Sequence, residues 1–257
     1  MSARAVFTGV GVALVTFFDD DGRVDPHATA EHAARLVERG VRGVVLAGTT
    51  GEADRLSSDD RVALLRAARE AVGETAALVV GTGRPDVGEA VAMSRAAVDA
   101  GADAVLVLSR PGDDDPRAYY GAVAAAVRAE APLFAYHYPA VSPPGIPVEA
   151  LADLPVDGLK DSSGDAERLV AELQVLRAGP PGAARSLYVG SSAYLSLAGP
   201  LGATGAILGL ANTHPELCVR AFEGDHDAQR ELLPHHRAMA EDFPHGLKRR
   251  ALEAAPA

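Results

Sequence analysis

Short apolar stretches rich in β-branched residues alternate along the chain with longer stretches whose apolar residues recur at a helical period. The apolar stretches predict eight strands, at residues 10–16, 43–46, 77–81, 104–108, 133–136, 158–160, 187–190 and 205–208. The helical period predicts helices at about residues 26–39, 58–72, 86–100, 116–130, 147–154, 165–177, 193–199 and 215–223. This alternation is typical of βα units that build a parallel sheet.

The predicted βα units indicate the fold. Four helix-to-strand junctions are similarly rich in small residues and form a weak internal repeat: "RGVRGVVL", "AGADAVLVL", "PVDGLK" and "LGATGAILG". Eight units that close on themselves form a (β/α)8 TIM barrel of the α/β class, and an open doubly wound sheet is the alternative. We predict a barrel over residues 1–223 and a short C-terminal helical extension over residues 224–257. In either fold the functional site lies at the carboxyl ends of the strands.

The composition narrows the class of protein. Of the 257 residues, 48% are hydrophobic and 23% are charged, as in a globular protein with a large core. The net charge of −11 argues against a nucleic-acid partner, because such partners require concentrated positive potential. No apolar run approaches the ~18 residues that span a bilayer, and the N-terminal apolar run ends in "DDDG" like a strand, not like a signal peptide. The one cysteine, Cys218, excludes an internal disulfide, and we predict a cytoplasmic protein without a membrane partner.

One lysine is the first candidate for chemistry. The chain has 24 basic residues, but only Lys160 and Lys248 are lysines. An arginine stays protonated, whereas a partly buried lysine can lose its proton and condense with a carbonyl to form a Schiff base. Lys160 ends an apolar predicted strand, where burial would lower the pKa of its amine. A surface charge or a buried ion pair is the alternative role.

Hydroxyl groups follow two other predicted strands. Residues 48–52, "GTTGE", place Thr49 and Thr50 among backbone N–H groups that suit a carboxylate or a phosphate, although such a turn is also a common way to leave a strand. Tyr136 ends another strand, where a tyrosine either relays protons or packs in the core. Together with Lys160, these hydroxyls would suit a 2-oxo acid.

The eight histidines do not indicate a metal site. None has the HExxH spacing, and the adjacent His235 and His236 cannot face one way on a helix. His137 alternates with Tyr136 along the strand, so it should face the opposite side and have a structural role. We predict no metal and no cofactor.

Several motifs in a fixed order resemble the dihydrodipicolinate synthase / N-acetylneuraminate lyase family of class I, Schiff-base aldolases. They cover nearly the whole chain: "ALVTFFDDDGRVD", "GVVLAGTTGEADRLSSDDR", "VVGTGRPDVGEAVAMSRAAVDAGADAVLVL", "AYHYPA", "GLKDSSGD" and "LGATGAILGLAN". The resemblance implies that Lys160 forms an imine with pyruvate or another 2-oxo acid. It also implies that Tyr136 is the proton relay and that Thr49 is its hydrogen-bonding link.

The resemblance implies further site residues and an assembly. Gly48 and Thr50 would bind the substrate carboxylate, and the backbone around Gly190 and Ile207 would line the pocket. Members of the family form homo-oligomers, so a dimer or a tetramer is expected. The C-terminal helices resemble a shortened form of those in the family, which leaves the choice between these assemblies open.

The chain departs from two branches of this family. Synthases that make dihydrodipicolinate have an arginine two residues after the proline of the tyrosine motif, where this chain has Val141. They also carry a tyrosine pair after the fourth strand, where this chain has Arg110, either a contact for an acidic substrate tail or a surface charge. Sialic-acid lyases tend to have acidic residues where this chain has Ser191 and Ser192.

We therefore predict a Schiff-base-forming carbon–carbon lyase for a 2-oxo acid, with pyruvate as product or donor. An aldolase or a dehydratase for a 2-keto-3-deoxy sugar acid fits this description. The alternatives are 4-hydroxy-tetrahydrodipicolinate (dihydrodipicolinate) synthase and a non-catalytic member that binds a 2-oxo acid without turnover. A further alternative, a phosphate-binding barrel that uses "GTG" (81–83) and "GTTGE", predicts inhibition by phosphate and indifference to substitution of Lys160.

Overall fold

Eight parallel strands close into a barrel. The computed structural model describes residues 5–178 and 184–253. The strands in these residues are β1 (Gly9–Ala13), β2 (Gly43–Leu46), β3 (Ala77–Gly81), β4 (Ala104–Leu108), β5 (Leu133–His137), β6 (Gly158–Asp161), β7 (Ser186–Val189) and β8 (Gly205–Leu208). Each strand pairs with the next and β8 pairs with β1. The prediction of a (β/α)8 barrel is confirmed, and the open doubly wound sheet is wrong.

Helices follow the strands around the outside of the barrel. In the described residues they are α1 (Pro26–Glu38), α2 (Ser58–Val72), α3 (Val87–Asp99), α4 (Arg117–Val127), α5 (Ala166–Arg177), α6 (Leu195–Leu201), α7 (Pro215–Phe222), α8 (His226–Glu241) and α9 (His245–Glu253). Local capping explains where several of them begin. Asp25 caps α1, which has a proline in its first turn, and Ser57 and Asp60 form a capping box at the start of α2.

Two predicted elements differ from those observed. The first strand was expected to reach residue 16 but ends at Ala13. Beyond that residue, backbone N–H groups donate hydrogen bonds to side chains of other elements instead of to a neighbouring strand. Val15 N donates to Asn212 Oδ1 at 3.1 Å, and Phe17 N donates to Thr29 Oγ1 at 3.0 Å. The helix expected at residues 147–154 is only a 3₁₀ turn, Glu149–Ala152. A proline at residue 155 disfavours helical backbone just before it, so the turn cannot extend.

Aromatic side chains close the amino-terminal end of the barrel interior. The Phe7 ring lies against Gly11 and Gly43, where a Cβ atom would come within 2.7 and 2.5 Å of it. Phe7 also packs on Tyr188 with 4.6 Å between the ring centroids, and Tyr188 Oη donates to Phe7 O at 2.8 Å. The space inside the barrel therefore opens toward the carboxyl ends of the strands.

The last two helices pack over those carboxyl ends. A Cβ atom on Gly209, just after β8, would lie 3.4 Å from Met239 of α8, 3.4 Å from Leu247 of α9 and 3.5 Å from Thr50 Oγ1. Leu247 is fully buried against the chain that follows β1. Because α8 and α9 cover part of the barrel mouth, they belong to the walls of any site there. The division of the chain at residue 223 stays a prediction.

Candidate active site

The register of two neighbouring strands brings Lys160 and Tyr136 together. Lys160 of β6 lies opposite Tyr136 of β5 in the sheet. Both side chains point into the barrel, and Lys160 Nζ lies 4.2 Å from the centroid of the Tyr136 ring. The side chain of Lys160 is only 4% exposed. Strand alternation therefore places an amine and a phenol side by side in a buried site.

Burial changes the protonation of Lys160. It lowers the pKa of the amine from 10.5 to about 7, since a charged ammonium loses solvation inside the barrel. No carboxylate of the described residues forms an ion pair with Lys160 to oppose this effect. The alternatives of a surface charge and an ion-pair partner are therefore wrong for this lysine. About half of the amine is neutral, and thus nucleophilic, near pH 7.

Tyr136 sits among hydroxyl groups. Ser162 Oγ donates to Tyr136 Oη at 3.4 Å, and the Thr49 hydroxyl lies near the phenol. Burial raises the pKa of Tyr136, while the two neighbouring hydroxyls partly oppose that shift. The phenol is therefore protonated at neutral pH, with the hydroxyls of Ser162 and of Thr49 in the loop after β2 beside it.

That loop has a constrained backbone. Ala47 and Glu52, at its two ends, adopt φ angles of 53° and 56°, a left-handed conformation that is uncommon for residues with a Cβ atom. Between them, Gly51 O accepts a hydrogen bond from Thr16 Oγ1 at 2.8 Å. The buried guanidinium of Arg61 donates to the carbonyl oxygens of Ala47 and Ala53. These contacts fix the position of the Thr49 and Thr50 hydroxyls.

The second lysine of the chain supports the same loop. Lys248 Nζ of α9 lies 2.7 Å from Glu52 Oε1, and Arg55 Nη1 lies 2.7 Å from Glu52 Oε2. Lys248 Nζ is also 4.1 Å from the centroid of the Phe18 ring. This ion pair ties α9 to the loop. The two lysines therefore occupy opposite environments, one without a counterion and one with a carboxylate.

The cavity at the barrel mouth has a volume of about 220 Å³. Its described walls come from six strand ends or loops and from the C-terminal helices: Ala13, Thr50, Tyr136, Tyr138, Lys160, Ser162, Gly190, Ser191, Ile207, Gly209, His236, Met239, Ala240 and Phe243. Five predicted site residues lie together on these walls: Lys160, Tyr136, Thr50, Gly190 and Ile207. Thr49 and Gly48 instead line a smaller space of about 40 Å³ on the other side of Tyr136.

Gly190 is constrained by its neighbour. A Cβ atom at this position would overlap Ser162 Oγ, which itself contacts Tyr136. Gly190 N also donates to Asp161 O at 2.6 Å, so the backbone cannot retreat without loss of that bond. Only glycine therefore allows the loop after β7 to approach β6 at this point.

Several cavity residues were not among the predicted site residues. Tyr138 could have been found from strand alternation, since it lies two residues after Tyr136 and stacks on it at 5.9 Å between centroids. His236 belongs to a helix remote in sequence, so no local pattern points to it. Arg110 and Ser142 do not line the cavity; Ser142 is buried and donates to Ser109 O at 2.5 Å.

A buried polar cluster lies behind Lys160. Asp161 faces away from the cavity, toward Glu172 of α5, whose side chain is fully buried and 2.7 Å from Arg168. Burial, with the nearby Asp161 carboxyl, raises the pKa of Glu172 to about 8. His137 Nε2 lies 4.0 Å from Asp161 Oδ1. His137 therefore lies outside the cavity, as strand alternation predicts.

A closed barrel with a buried amine at the carboxyl end of a strand is typical of class I aldolases, which are lyases. The model of the dihydrodipicolinate synthetase family matches residues 6–250, and the chain belongs to that family. The family predicted from the sequence motifs is thereby confirmed, together with the class of enzyme. In the described residues no helix has the length and apolar character needed to cross a bilayer.

Three known proteins illustrate the similarity. The chain is 40% identical over 178 residues to the 4-hydroxy-tetrahydrodipicolinate synthase of Corynebacterium aurimucosum, an alignment that covers 64% of this chain and 58% of that protein. It is 33% identical over 255 residues to the synthase of Salinibacter ruber, covering 93% of this chain and 82% of that protein. The crystal structure of the chloride-inhibited dihydrodipicolinate synthase from Acinetobacter baumannii, complexed with pyruvate, superposes with a TM-score of 0.87 at 26% identity, covering 97% of this chain and 89% of that one.

Proposed function

We propose that this protein is a pyruvate-dependent class I aldolase that forms an imine between Lys160 and the ketone carbon of a 2-oxo acid. The observation that carries the proposal is Lys160 itself, buried without a counterion, with a pKa of about 7, on the wall of a cavity. The similar Acinetobacter baumannii synthase was crystallised with pyruvate, which supports pyruvate as the first reactant.

The contacts of Lys160 and Tyr136 suit each step of this chemistry. The neutral amine adds to C2 of the 2-oxo acid, and the Tyr136 phenol donates its proton to the resulting hydroxyl, which leaves as water and gives the iminium. The Tyr136 phenolate then takes a proton from C3, which yields an enamine. C3 adds to the carbonyl carbon of an aldehyde, and the phenol donates its proton to the new alkoxide. Water then hydrolyses the new iminium, which releases the product and restores the amine and the phenol. The reverse sequence cleaves the same bond.

The remaining predicted residues have supporting roles in this proposal. Thr50, on the cavity wall, would hold the carboxylate of the 2-oxo acid. Thr49, behind Tyr136, would keep the phenol oriented and return its proton. Gly190 and Ile207 would contact the reacting carbons through backbone and methyl groups. A homo-oligomer and a cytoplasmic location remain predictions.

A second candidate concerns the aldehyde. The similar proteins of Corynebacterium aurimucosum and Salinibacter ruber are named 4-hydroxy-tetrahydrodipicolinate synthases, and these names favour the synthase over a sugar-acid aldolase. Val141, where the resemblance expects the arginine of those synthases, is 46% exposed and does not line the cavity. The same imine serves both reactions, so only turnover with each aldehyde separates them.

Borohydride trapping tests the proposal directly. The protein is incubated with pyruvate, reduced, weighed intact and digested to map the modified peptide. We expect one pyruvyl adduct on Lys160 and none on Lys248, which is held in an ion pair with Glu52 outside the cavity. The Lys160→Met variant should give no adduct, and Lys248→Met should give the same adduct as the unsubstituted protein. An unmodified protein, or an adduct on Lys248, would overturn the aldolase mechanism and favour the phosphate-binding barrel. An adduct on Lys160 without turnover of any aldehyde would identify a non-catalytic 2-oxo-acid binder.

A further inference from the structure

Helix α8 forms the roof of the cavity on the side away from Lys160. His236, Met239 and Ala240 of this helix line the space, together with Phe243 just beyond it. Atoms beyond the reacting carbons of a bound 2-oxo acid must therefore pass close to α8. The only imidazole on the described walls is that of His236.

Two side chains of α8 hold the loop after β7. Ser192 Oγ lies 2.9 Å from His236 Nδ1, and Gln229 Nε2 donates to Ser192 O at 2.9 Å. Gln229 Oε1 also accepts from Ser196 N at 3.0 Å. The ring of His236 is therefore fixed by a buried hydroxyl in a loop that is itself anchored to the same helix.

The free nitrogen of His236 is the one available to a ligand. Within residues 5–178 and 184–253, Nε2 has no hydrogen-bond partner, and Ser192 Oγ has none besides Nδ1. The serine can thus donate its proton to Nδ1, which leaves the imidazole proton on Nε2. Burial lowers the pKa of His236, so the ring is neutral at pH 7. The ring then presents an N–H donor at the cavity.

We propose that His236 is a specificity-determining residue, whose Nε2–H donates to an oxygen on an uncharged, hydroxylated tail of the aldehyde or aldol adduct. This inference rests on the proposed aldolase function. It extends that function by naming a residue of α8 that recognises the tail of the second reactant.

The other cavity walls support an uncharged tail. The polar groups available beyond Lys160, Tyr136 and Thr50 are the hydroxyls of Tyr138, Ser162 and Ser191, with His236 opposite. Among the described wall residues there is no arginine and no carboxylate. A charged tail would lose its hydration there without a charged partner, whereas alcohol groups can exchange hydrogen bonds with hydroxyls and an imidazole.

The test compares a hydroxylated aldehyde and an apolar aldehyde of equal length with a charged one. Addition of pyruvate to glyceraldehyde, to propanal and to aspartate semialdehyde is followed in the unsubstituted protein and in H236F, H236Q and H235F. His235 provides the matched control because its ring stacks on His214 at 3.9 Å between centroids and does not line the cavity.

We expect kcat/KM to be highest for glyceraldehyde in the unsubstituted protein. H236F should lower the ratio of kcat/KM for glyceraldehyde to that for propanal about 10-fold, which is the size of one lost hydrogen bond of about 1.4 kcal/mol. The lower kcat/KM for glyceraldehyde should arise mainly from a higher KM for the aldehyde. H236Q retains an N–H donor and should restore part of the ratio, and H235F should keep it. If H236F does not fold, Ser192→Ala releases the ring and should lower the same ratio.

The possible failures are distinguishable. Absence of a pyruvyl adduct in the unsubstituted protein would overturn the proposed function itself. A normal adduct with an unchanged aldehyde ratio in H236F, or a ratio equally lowered in H235F, would overturn the role of His236. A preference of the unsubstituted protein for aspartate semialdehyde or for propanal would overturn the hydroxylated tail.

Discussion

Replacement of Lys160 by methionine should make the folded protein more stable at neutral pH. The two side chains have similar length, and methionine fills a buried space without a charge. The unfolded chain holds a proton on Lys160 at all pH values below 10.5, whereas the folded protein holds it only below about 7. Between these pH values, folding must release that proton, and this release costs free energy.

The magnitude follows from the two pKa values of Lys160. Their difference corresponds to about 5 kcal/mol of unfolding free energy. The burial of Lys160 lowers the stability of the folded protein by this full amount below pH 7. Because the folded-state pKa is the lower one, stability rises with pH from about 7 toward 10.5. At pH 9 roughly 2 kcal/mol of the cost should remain. The advantage of Lys160→Met over the unsubstituted protein should therefore be largest near pH 6 and shrink toward pH 9.

Urea unfolding at pH 6, 7, 8 and 9 measures this advantage. Lys248→Met is the matched control, because it removes the other lysine and leaves the buried carboxylate of Glu52 with one partner fewer. We expect that variant to be less stable than the unsubstituted protein at each pH. A Lys160→Met protein that is no more stable at pH 6, or whose advantage does not change with pH, would refute the view that burial without a counterion lowers the pKa of Lys160.

Three further predictions concern neighbouring residues. Tyr136→Phe should lower kcat at least 100-fold, because it removes the proton donor, while borohydride should still trap some adduct on Lys160. A near-normal kcat in turnover assays would contradict the role of Tyr136 as proton relay. Gly190→Ala should raise KM for pyruvate, since its Cβ atom would displace Ser162 into the cavity, and an unchanged KM would show that the loop yields freely. Arg168→Met should lower the free energy of unfolding by about 1 kcal/mol at pH 9, because it removes the cation that stabilises the ionised form of the buried Glu172 carboxyl. At pH 6 the loss should be small, because Glu172, with its pKa of about 8, is protonated there and carries no charge for Arg168 to balance; urea titrations that show a loss independent of pH would contradict this.

The sequence by itself determined the βα order, and it placed Tyr136 and Lys160 within one residue of the observed ends of two strands. A strand alternates its faces every residue, so an apolar run that ends in Lys160 or in Tyr136 places that side chain at a strand terminus whatever the surrounding fold. The near-absence of lysine in a chain rich in arginine was a chemical signal that needs no coordinates. Helix starts such as that of α1 could also be predicted, because a capping aspartate acts within one turn.

Only the tertiary structure decided how distant segments meet. The contact between Ser192 and His236 joins residues 44 apart, and that between Lys248 and Glu52 joins residues 196 apart. No local pattern encodes such pairs, because they depend on the closure of the barrel and on the path of α8 and α9 across its mouth. Barrel closure also keeps water away from Lys160, and this desolvation lowers the pKa of its amine from 10.5 to about 7.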